Sequence, residues 1–314
     1  MISFVLRRFL HLIPILLIVS FVVFGMLLLL PGDPTLTLLG DFASAEQRAA
    51  LAAKMGLDQP IWVQYWRWLS TLLSGDFGRS LRTHEPVLEM LGNRIPVTLQ
   101  LTLMSLGFAI LIGIPLGIIA ALRRNKVTDS VISTVGIAGV AMPNFWQGIL
   151  LIMLFSVTLA WLPPSGYVPI WVDPVQNLRL MIMPTIVIGT SLAAVVLRQT
   201  RASMLQVMSQ DYVRTARAKG VSEFNVIVGH ALRNALIPIV TVLGLQFGSL
   251  IGGVVITELI FNLPGLGRMI VDGIFERDFA PVQAGILFVV IGTLVINLVT
   301  DLLYALLDKR VKLS

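Results

Sequence analysis

Long apolar runs alternate with shorter polar segments along the whole chain. A helix needs about 20 apolar residues to cross the hydrocarbon core of a bilayer. Six runs meet or approach that length: residues 9–30, 96–122, 130–161, 180–197, 236–257 and 282–307. The pattern therefore predicts an all-α membrane protein with six transmembrane helices.

The charges between these runs predict an orientation. Lys and Arg concentrate in the short cytoplasmic segments of membrane proteins. With the amino terminus inside, segments 1–8, 123–129, 198–235 and 308–314 hold 14 of the 23 basic residues. Pro143 and Asn144 interrupt the third run, which is either one kinked helix or two short segments. Two segments would move the basic carboxyl-terminal end outside, so the charges favour six spans with both termini cytoplasmic.

The segments predicted outside contain helix signals of their own. Ser44 and Gln47 have capping-box spacing in a helix that should end at Gly56, and Pro60 opens a second helix that should end at Gly75. Residues 258–281 contain a PGLG turn followed by a short amphipathic helix. One face of the second helix is expected at the membrane surface or against the spans, and comprises Trp62, Trp66, Leu69 and Leu73.

These elements divide the chain into three parts. Residues 1–30 form an amino-terminal anchor span, and residues 31–95 form a helical segment outside the membrane. Residues 96–314 form a core of five spans that includes the polar loop 198–235.

Composition supports the membrane assignment and narrows the chemistry. Of 314 residues, 56% are hydrophobic and 13% charged, whereas soluble domains carry about 25% charged residues. The net charge of +6 follows from the topology, and without a soluble basic domain it does not indicate nucleic-acid binding. The absence of cysteine excludes disulfides, thiolate metal sites and a cysteine nucleophile.

The sequence predicts no catalytic or metal-binding residues. It contains neither a P-loop nor an HExxH motif. GTSL at 189–192 loosely resembles the nucleophile segment of a membrane serine protease, but no histidine lies at the same depth, so it is interpreted as a packing site.

The predicted spans contain few charges and many small residues. Asp301 and Glu258 lie only near span ends, which disfavours an ion-coupled carrier. Glycines at four-residue spacing indicate close helix packing, namely Gly113 and Gly117 in the second span and Gly244, Gly248 and Gly252 in the fifth. The candidates for lining a polar pathway are Gln246, Ser249 and Thr257.

The loop 198–235 contains a second set of helix signals. RTARAKG at 214–220 is compatible with a short helix that Gly220 ends, and a second helical piece at about 222–235 leads to Pro238 in the first turn of the fifth span. The alternative is a solvated basic loop.

This loop resembles the EAA loop of ABC importer permeases. Arg214, Thr215 and Ala216 stand at the E-A-A positions, Gly220 at the glycine, and Pro238 at the end of the pattern. Arginine replaces the glutamate, and the gap between Gly220 and Pro238 is longer than usual. Both departures resemble the peptide and nickel permease subgroup.

Further motifs extend the resemblance to the first permease subunit of that subgroup. They are LPGDP at 30–34, GLDQP at 56–60, GDFGRS at 75–80, MPNFW at 142–146, DYVRTARAKG at 211–220, HALRNA at 230–235 and PGLGR at 264–268.

The resemblance implies the type I ABC importer fold and a non-catalytic membrane subunit that forms half of a translocation pathway. It implies a second homologous permease subunit, two ABC ATPase subunits and a periplasmic or lipid-anchored binding protein as partners, in contact with the lipids of the bacterial inner membrane. This chain is expected to bind no cofactor, because ATP and magnesium belong to the ATPases.

The resemblance also implies roles for residues of the loop. A coupling helix comprises Arg214, Thr215, Ala216, Arg217, Ala218, Lys219 and Gly220. Ala216 and Ala218 are expected to fit an ATPase groove whose rim contacts Arg214, Arg217 and Lys219, while Asn234 and Pro238 mark the junction with the fifth span.

Substrate and class remain open on the sequence alone. Dipeptides or oligopeptides are the expected cargo by resemblance, and glutathione-like peptides or chelated nickel are alternatives. A lone ion-coupled carrier and an intramembrane protease are alternatives from other classes.

Overall fold

A computed structural model describes residues 2–29 and 44–307. Within these residues the chain is helical, and the only strand-like pairing is an isolated bridge between Arg79 and Pro86. The first helices are α1 (Ile2–Leu29), α2 (Ala45–Met55), α3 (Ile61–Leu73), α4 (Val87–Leu122), α5 (Val127–Ala141), α6 (Asn144–Leu151) and α7 (Pro174–Met208). They are followed by α8 (Asp211–Ala218), α9 (Glu223–Asn225), α10 (Arg233–Gly253), α11 (Val255–Ile260), α12 (Leu266–Glu276) and α13 (Phe279–Leu307). Two π-helical segments, Ile152–Thr158 and Val226–Leu232, follow α6 and α9.

The predicted apolar runs are helical in the described residues, although the third and the fifth each extend over more than one helix. In the part of the chain that the structure describes, four helices are long and apolar enough to cross a membrane: Val87–Leu122, Pro174–Met208, Glu223–Gly248 and Phe279–Thr300. A bent pair from the third run makes five. The apolar part of α1, Leu12–Met26, is shorter. The architecture is that of an all-α membrane protein, with α2 and α3 inserted between its first two apolar runs.

The third run is broken at Met142, where α5 and the helical segment Asn144–Thr158 meet at 100°. Met142 has an extended backbone because the ring of Pro143 disfavours a helical residue before it. Both halves of the third run nevertheless contact α7. Asp129 in the first half pairs with Arg201, and Ser156 in the second half forms a weak hydrogen bond to Sδ of Met183. The third run is therefore two helical segments joined by a sharp bend, and not one smoothly kinked helix.

The chain forms two compact units. The first comprises Met1–Pro96 and Gly265–Ile291, and the second comprises Val97–Pro264 and Gly292–Ser314.

In the first unit, the predicted caps of α2 and α3 are present. The Ser44 side chain accepts a hydrogen bond from the Gln47 backbone in a complete capping box, and Gly56 ends α2 with φ +73°. Pro60 precedes α3, as predicted.

The packed face of α3 differs from the predicted one. Tyr65 and Leu69 are buried against Phe24 of α1, and Tyr65 Oη lies 2.8 Å from Ser20 Oγ. Trp62 and Trp66 are 63% and 61% exposed. Of the predicted face, Leu69 therefore packs against α1, whereas the two tryptophans lie on the exposed side of α3. Of the two positions expected for the tryptophans, the membrane surface is the one that stays a prediction.

A second cluster in the first unit contains Val87 and Leu91 of α4, Leu266 and Met269 of α12 and Ala284 of α13. The turn at PGLG followed by an amphipathic helix, α12, is confirmed. Buried Ser80, from GDFGRS, donates a hydrogen bond to Asp278, whose other carboxylate oxygen accepts the Leu81 N–H at 3.0 Å. These bonds fix the GDFGRS loop to the end of α12.

The second unit is organised around α7. The most apolar part of α7 is 72% buried, against 22–28% for the other three long spans. A Cβ atom at Gly113 of α4 would lie 2.7 Å from the Ala193 carbonyl, and one at Gly117 would lie 2.6 Å from Thr200. Gly244 of α10 approaches Thr300 of α13 still more closely. The close packing predicted for these glycines is confirmed, whereas the surroundings of Gly252 lie outside the described residues.

Candidate functional site

The segment 209–234 folds into a short helix that packs against the start of a long one. α8 runs Asp211–Ala218, three residues earlier at its start than the pattern predicted. Gly220 follows in the left-handed conformation, φ +77°, which a glycine adopts without strain. From Glu223 the chain is helical through α9 and the π-helical segment into α10. The segment is a structured element and not a solvated loop.

α8 has a buried face and an exposed face. Val213 and Ala216, 0% and 8% exposed, pack with Val226 and with Val207, Met208 and Val221. At 100° per residue the opposite face is centred on Asp211, Thr215 and Ala218, all exposed. The expectation that Ala216 fits a partner's groove is therefore wrong, because this side chain fills a gap in the chain's own core. Ala218 is the small residue that faces outward.

The basic residues of α8 are available at the surface. Arg214 and Lys219 are exposed, and Arg214 forms an ion pair with Asp211 at 3.6 Å, with side chains 74% and 95% exposed. Such an exposed pair contributes well under 1 kcal/mol, so it does not hinder contact with another protein.

Two polar contacts connect α8 to the helix that follows. Asn234 Nδ2 donates to Tyr212 Oη at 2.9 Å and to the His230 carbonyl at 3.0 Å. Arg217 Nε donates to Glu223 Oε1 at 2.8 Å. Together with the Val213–Val226 packing, these contacts make α8 and the beginning of the α10 span one packed body.

The junction with the span also differs in register from the prediction. Pro238 lies in the second turn of α10, and the helix begins well before it, so the predicted first-turn position is wrong. Pro238 has no N–H to donate to the Asn234 carbonyl. The π-helical segment Val226–Leu232 lies just before this irregular turn.

Comparison with known proteins shows which family the chain belongs to. Residues 113–313 match the family described as "Binding-protein-dependent transport system inner membrane component", and residues 1–102 match its amino-terminal domain. The chain belongs to this family of ABC importer permeases. Membership confirms the family that the motifs resembled, the ABC importer permeases. Members of this family are non-catalytic membrane subunits that work with ATPases and a substrate-binding protein.

Proteins of similar sequence match nearly the whole length of this permease. It is 45% identical over 312 residues to the glutathione transport system permease protein GsiC of Salmonella paratyphi A, and 44% identical to GsiC of Escherichia coli K12, with 99% of each chain covered. A chain of the MetNI methionine ABC transporter has a TM-score of 0.59 at 17% identity, covering 71% of the permease and 99% of that chain. A chain of an amino acid ABC transporter has a TM-score of 0.50 at 19% identity, with 71% and 95% covered. These structural similarities show the permease fold.

Family membership also decides between the classes left open by the sequence. A lone ion-coupled carrier and an intramembrane protease are both wrong. In agreement, Gly189 of the GTSL segment packs on Phe108, where a Cβ atom would lie 2.6 Å away, and Ser191 donates to Asn144 at 3.0 Å. Among the described residues, no three His, Asp or Glu side chains are grouped as a metal site would require.

The predicted pathway residues occupy different environments. Thr257 is 1% exposed, so its side chain cannot contact a substrate in this conformation. Gln246 on α10 is half-buried, and the side chain of Ser249 lies outside the described residues.

One buried carboxylate was not predictable from the sequence pattern. Glu258, expected at a span edge, is 0% exposed and accepts a hydrogen bond from Thr98 Oγ1 of α4 at 2.6 Å. Thr98 lies 160 residues away along the chain, so no local pattern indicates this contact. The only indication is the rule that a buried carboxylate needs a hydrogen-bond partner.

Proposed function

We propose that this permease forms half of the transmembrane pathway of an ATP-driven importer of small peptides, with glutathione, a tripeptide, as its first candidate cargo. The observation that supports this proposal is 44–45% identity over 99% of the chain to glutathione transport permeases. Dipeptides, longer peptides and chelated nickel are the cargoes that the test must separate from glutathione.

The proposed complex contains a second homologous permease, two ATPase subunits that bind ATP and magnesium, and a binding protein that delivers the peptide. Both termini and α8 lie in the cytoplasm of this arrangement, in the inner membrane of a bacterium. The support is the concentration of Lys and Arg in the segments assigned to that side.

α8 is the proposed coupling helix. Its exposed face, centred on Thr215 and Ala218, docks into a groove of an ATPase subunit, and Arg214 and Lys219 contact the polar rim of that groove. Gly220 turns the chain after the helix. When the ATPases close, α8 moves with them as a rigid element.

The intramolecular contacts of α8 support this role. Tyr212 is hydrogen-bonded to Asn234, and Arg217 is paired with Glu223, so displacement of α8 pulls on the start of α10. Because α10 packs on α13 through Gly244, the displacement reaches a second span. Movement of these spans would open the pathway alternately to either side.

Uptake by reconstituted vesicles tests the cargo. Vesicles containing both permeases and the ATPases, with the binding protein added, should accumulate radiolabelled glutathione only when ATP is present on the ATPase side. Excess unlabelled glutathione should abolish this uptake, and an equal excess of a dipeptide or of chelated nickel should leave most of it.

A matched control omits ATP and imposes a proton gradient, which should drive no uptake. Glutathione uptake that fails while a labelled dipeptide accumulates would exclude the glutathione assignment and keep the peptide class. Uptake of nickel alone would exclude both.

A further inference from the structure

An apolar groove runs along the second unit between α4, α5 and α7. Its volume is about 330 Å³, and Thr190 is the only polar residue that lines it. The walls include Ile112 and Leu116 of α4 and Val131 and Val135 of α5, over a floor that includes Ala194 and Leu197 of α7. Val131 and Val135 are 55% and 64% exposed, so the groove opens to the surroundings of the chain.

One end of this groove is polar and basic. Arg201 lies seven residues after Ala194 on the same face of α7, and its Nε and Nη2 donate to the two carboxylate oxygens of Asp129 at 2.6 and 2.7 Å. This pair neutralises the only acidic residue in segments 112–135 and 190–204.

Beyond the ion pair, the other charged side chains of these two segments are all basic. Arg123 lies seven residues after Leu116, two turns along the same face of α4, and its N–H donates to the Ile119 carbonyl at 3.0 Å, so the helical geometry reaches it. Arg123, Arg124, Lys126 and Arg198 are all exposed at this end. The rise of α4 places Arg123 about 10 Å beyond Leu116.

The groove follows α4 from Phe108 to Leu116, which is about 12 Å of helix. A single hydrocarbon chain is narrow enough to lie along it, whereas a transmembrane helix would rest on its open side with only side chains entering. The basic residues at one end of the groove, and not its volume, favour a lipid with an anionic head group.

We propose that this groove binds an anionic phospholipid of the surrounding bilayer. One acyl chain lies in the groove over Ala194 and Leu197, and the phosphate is bound by Arg123 with Lys126 and Arg124. The neutral Arg201–Asp129 pair lies between the acyl chain and the phosphate of the lipid. Basic pockets beside membrane helices bind anionic head groups in this manner, and the site lies on a surface that no interaction of α8 requires.

Native mass spectrometry of the purified full-length permease tests the site. After delipidation, the chain is titrated with phosphatidylglycerol and, separately, with phosphatidylcholine of the same acyl composition. The parent should bind one phosphatidylglycerol more tightly than any phosphatidylcholine. Arg123→Gln should weaken this binding about fivefold, which corresponds to about 1 kcal/mol. Gly136→Leu, which places a bulky side chain in the groove, should abolish it.

Two controls keep the outcome interpretable. Arg233→Gln removes the same charge from α10, whose Ala235 belongs to a cluster with Ala121 on the face of α4 turned away from the groove, and it should bind phosphatidylglycerol like the parent. Gly136→Ala should also bind, because a Cβ atom there meets Leu197 at an ordinary 3.7 Å. Circular dichroism must show parental helicity for each variant compared.

Three results would overturn the proposal. They are equal affinity for the two lipids, unchanged phosphatidylglycerol binding in both Arg123→Gln and a folded Gly136→Leu, and loss of the bound lipid when the second permease is added. The last result would assign the groove to a partner helix.

Discussion

Asp129 is a buried carboxylate whose main hydrogen-bond partner is Arg201. It is 4% exposed and accepts hydrogen bonds from Nε and Nη2 of Arg201, from the Asn125 N–H at 3.1 Å and from Ser133 Oγ at 3.4 Å. The bidentate geometry fixes the first turn of α5 against α7.

Asp129→Asn should therefore destabilise the permease by about 2 to 3 kcal/mol. Breaking a buried pair costs about 3 to 5 kcal/mol, and the 30% exposure of the Arg201 side chain lowers that figure because water can partly solvate the remaining charge. The measurement is the midpoint of unfolding in detergent. Asp211→Asn removes the same charge from an exposed pair and should change stability by less than about 0.5 kcal/mol. Equal effects of the two substitutions would contradict this account.

Residue-scale features were predictable from sequence when their causes were local. The Ser44–Gln47 capping box and the left-handed Gly56 and Gly220 each depend on residues within one or two turns. The Arg201–Asp129 pair joins positions 72 residues apart, so its existence depended on the tertiary arrangement of α5 and α7.

At the scale of elements, the sequence located α8 but not its orientation. Ala216 and Ala218 are equivalent by composition, and only the packing of Val226 against the helix shows that Ala216 faces inward. Similarly, Pro143 marked an interruption of the third run, but the 100° angle depends on the tertiary contacts of both halves. Local patterns predict where an element begins and ends, and packing decides which face it presents.

Ala218→Trp should uncouple the proposed importer without unfolding it. The side chain faces outward, so a tryptophan there clashes with a docked ATPase and leaves the core around Ala216 intact. Overpacking costs about 1 to 3 kcal/mol, which weakens docking by roughly one to two orders of magnitude. Copurification of the ATPases and substrate-stimulated ATP hydrolysis should both fall.

Two further tryptophan variants serve as controls for Ala218→Trp. Ala49→Trp adds the same bulk at an exposed position of α2 and should retain ATPase copurification. Ala216→Trp should instead lower the unfolding midpoint of the isolated permease, because its side chain is buried in the permease's own core. If Ala218→Trp keeps its ATPases bound and transports normally, α8 is not the docking element.

At the scale of the whole molecule, the motifs distributed from residue 30 to residue 268 are sufficient to indicate the family. The cargo does not follow from them, because no cluster of residues in the sequence identifies a peptide or a metal, and a delivered substrate is selected largely by its binding protein. The orientation in the membrane is a property of the same scale, since it depends on charges in several segments acting together.

The orientation can be measured on two exposed serines. The permease has no cysteine, so Ser74→Cys, at the end of α3, and Ser209→Cys, at the end of α7, each introduce a single thiol. On intact cells stripped of any outer barrier, an impermeant thiol reagent should label Ser74→Cys and not Ser209→Cys. Permeabilising the membrane should then expose Ser209→Cys to the reagent, which shows that its thiol is reactive. Labelling of Ser209→Cys alone on intact cells would place α8 outside the cell, where no ATPase subunit could bind it. That result would contradict both the orientation and the proposed coupling.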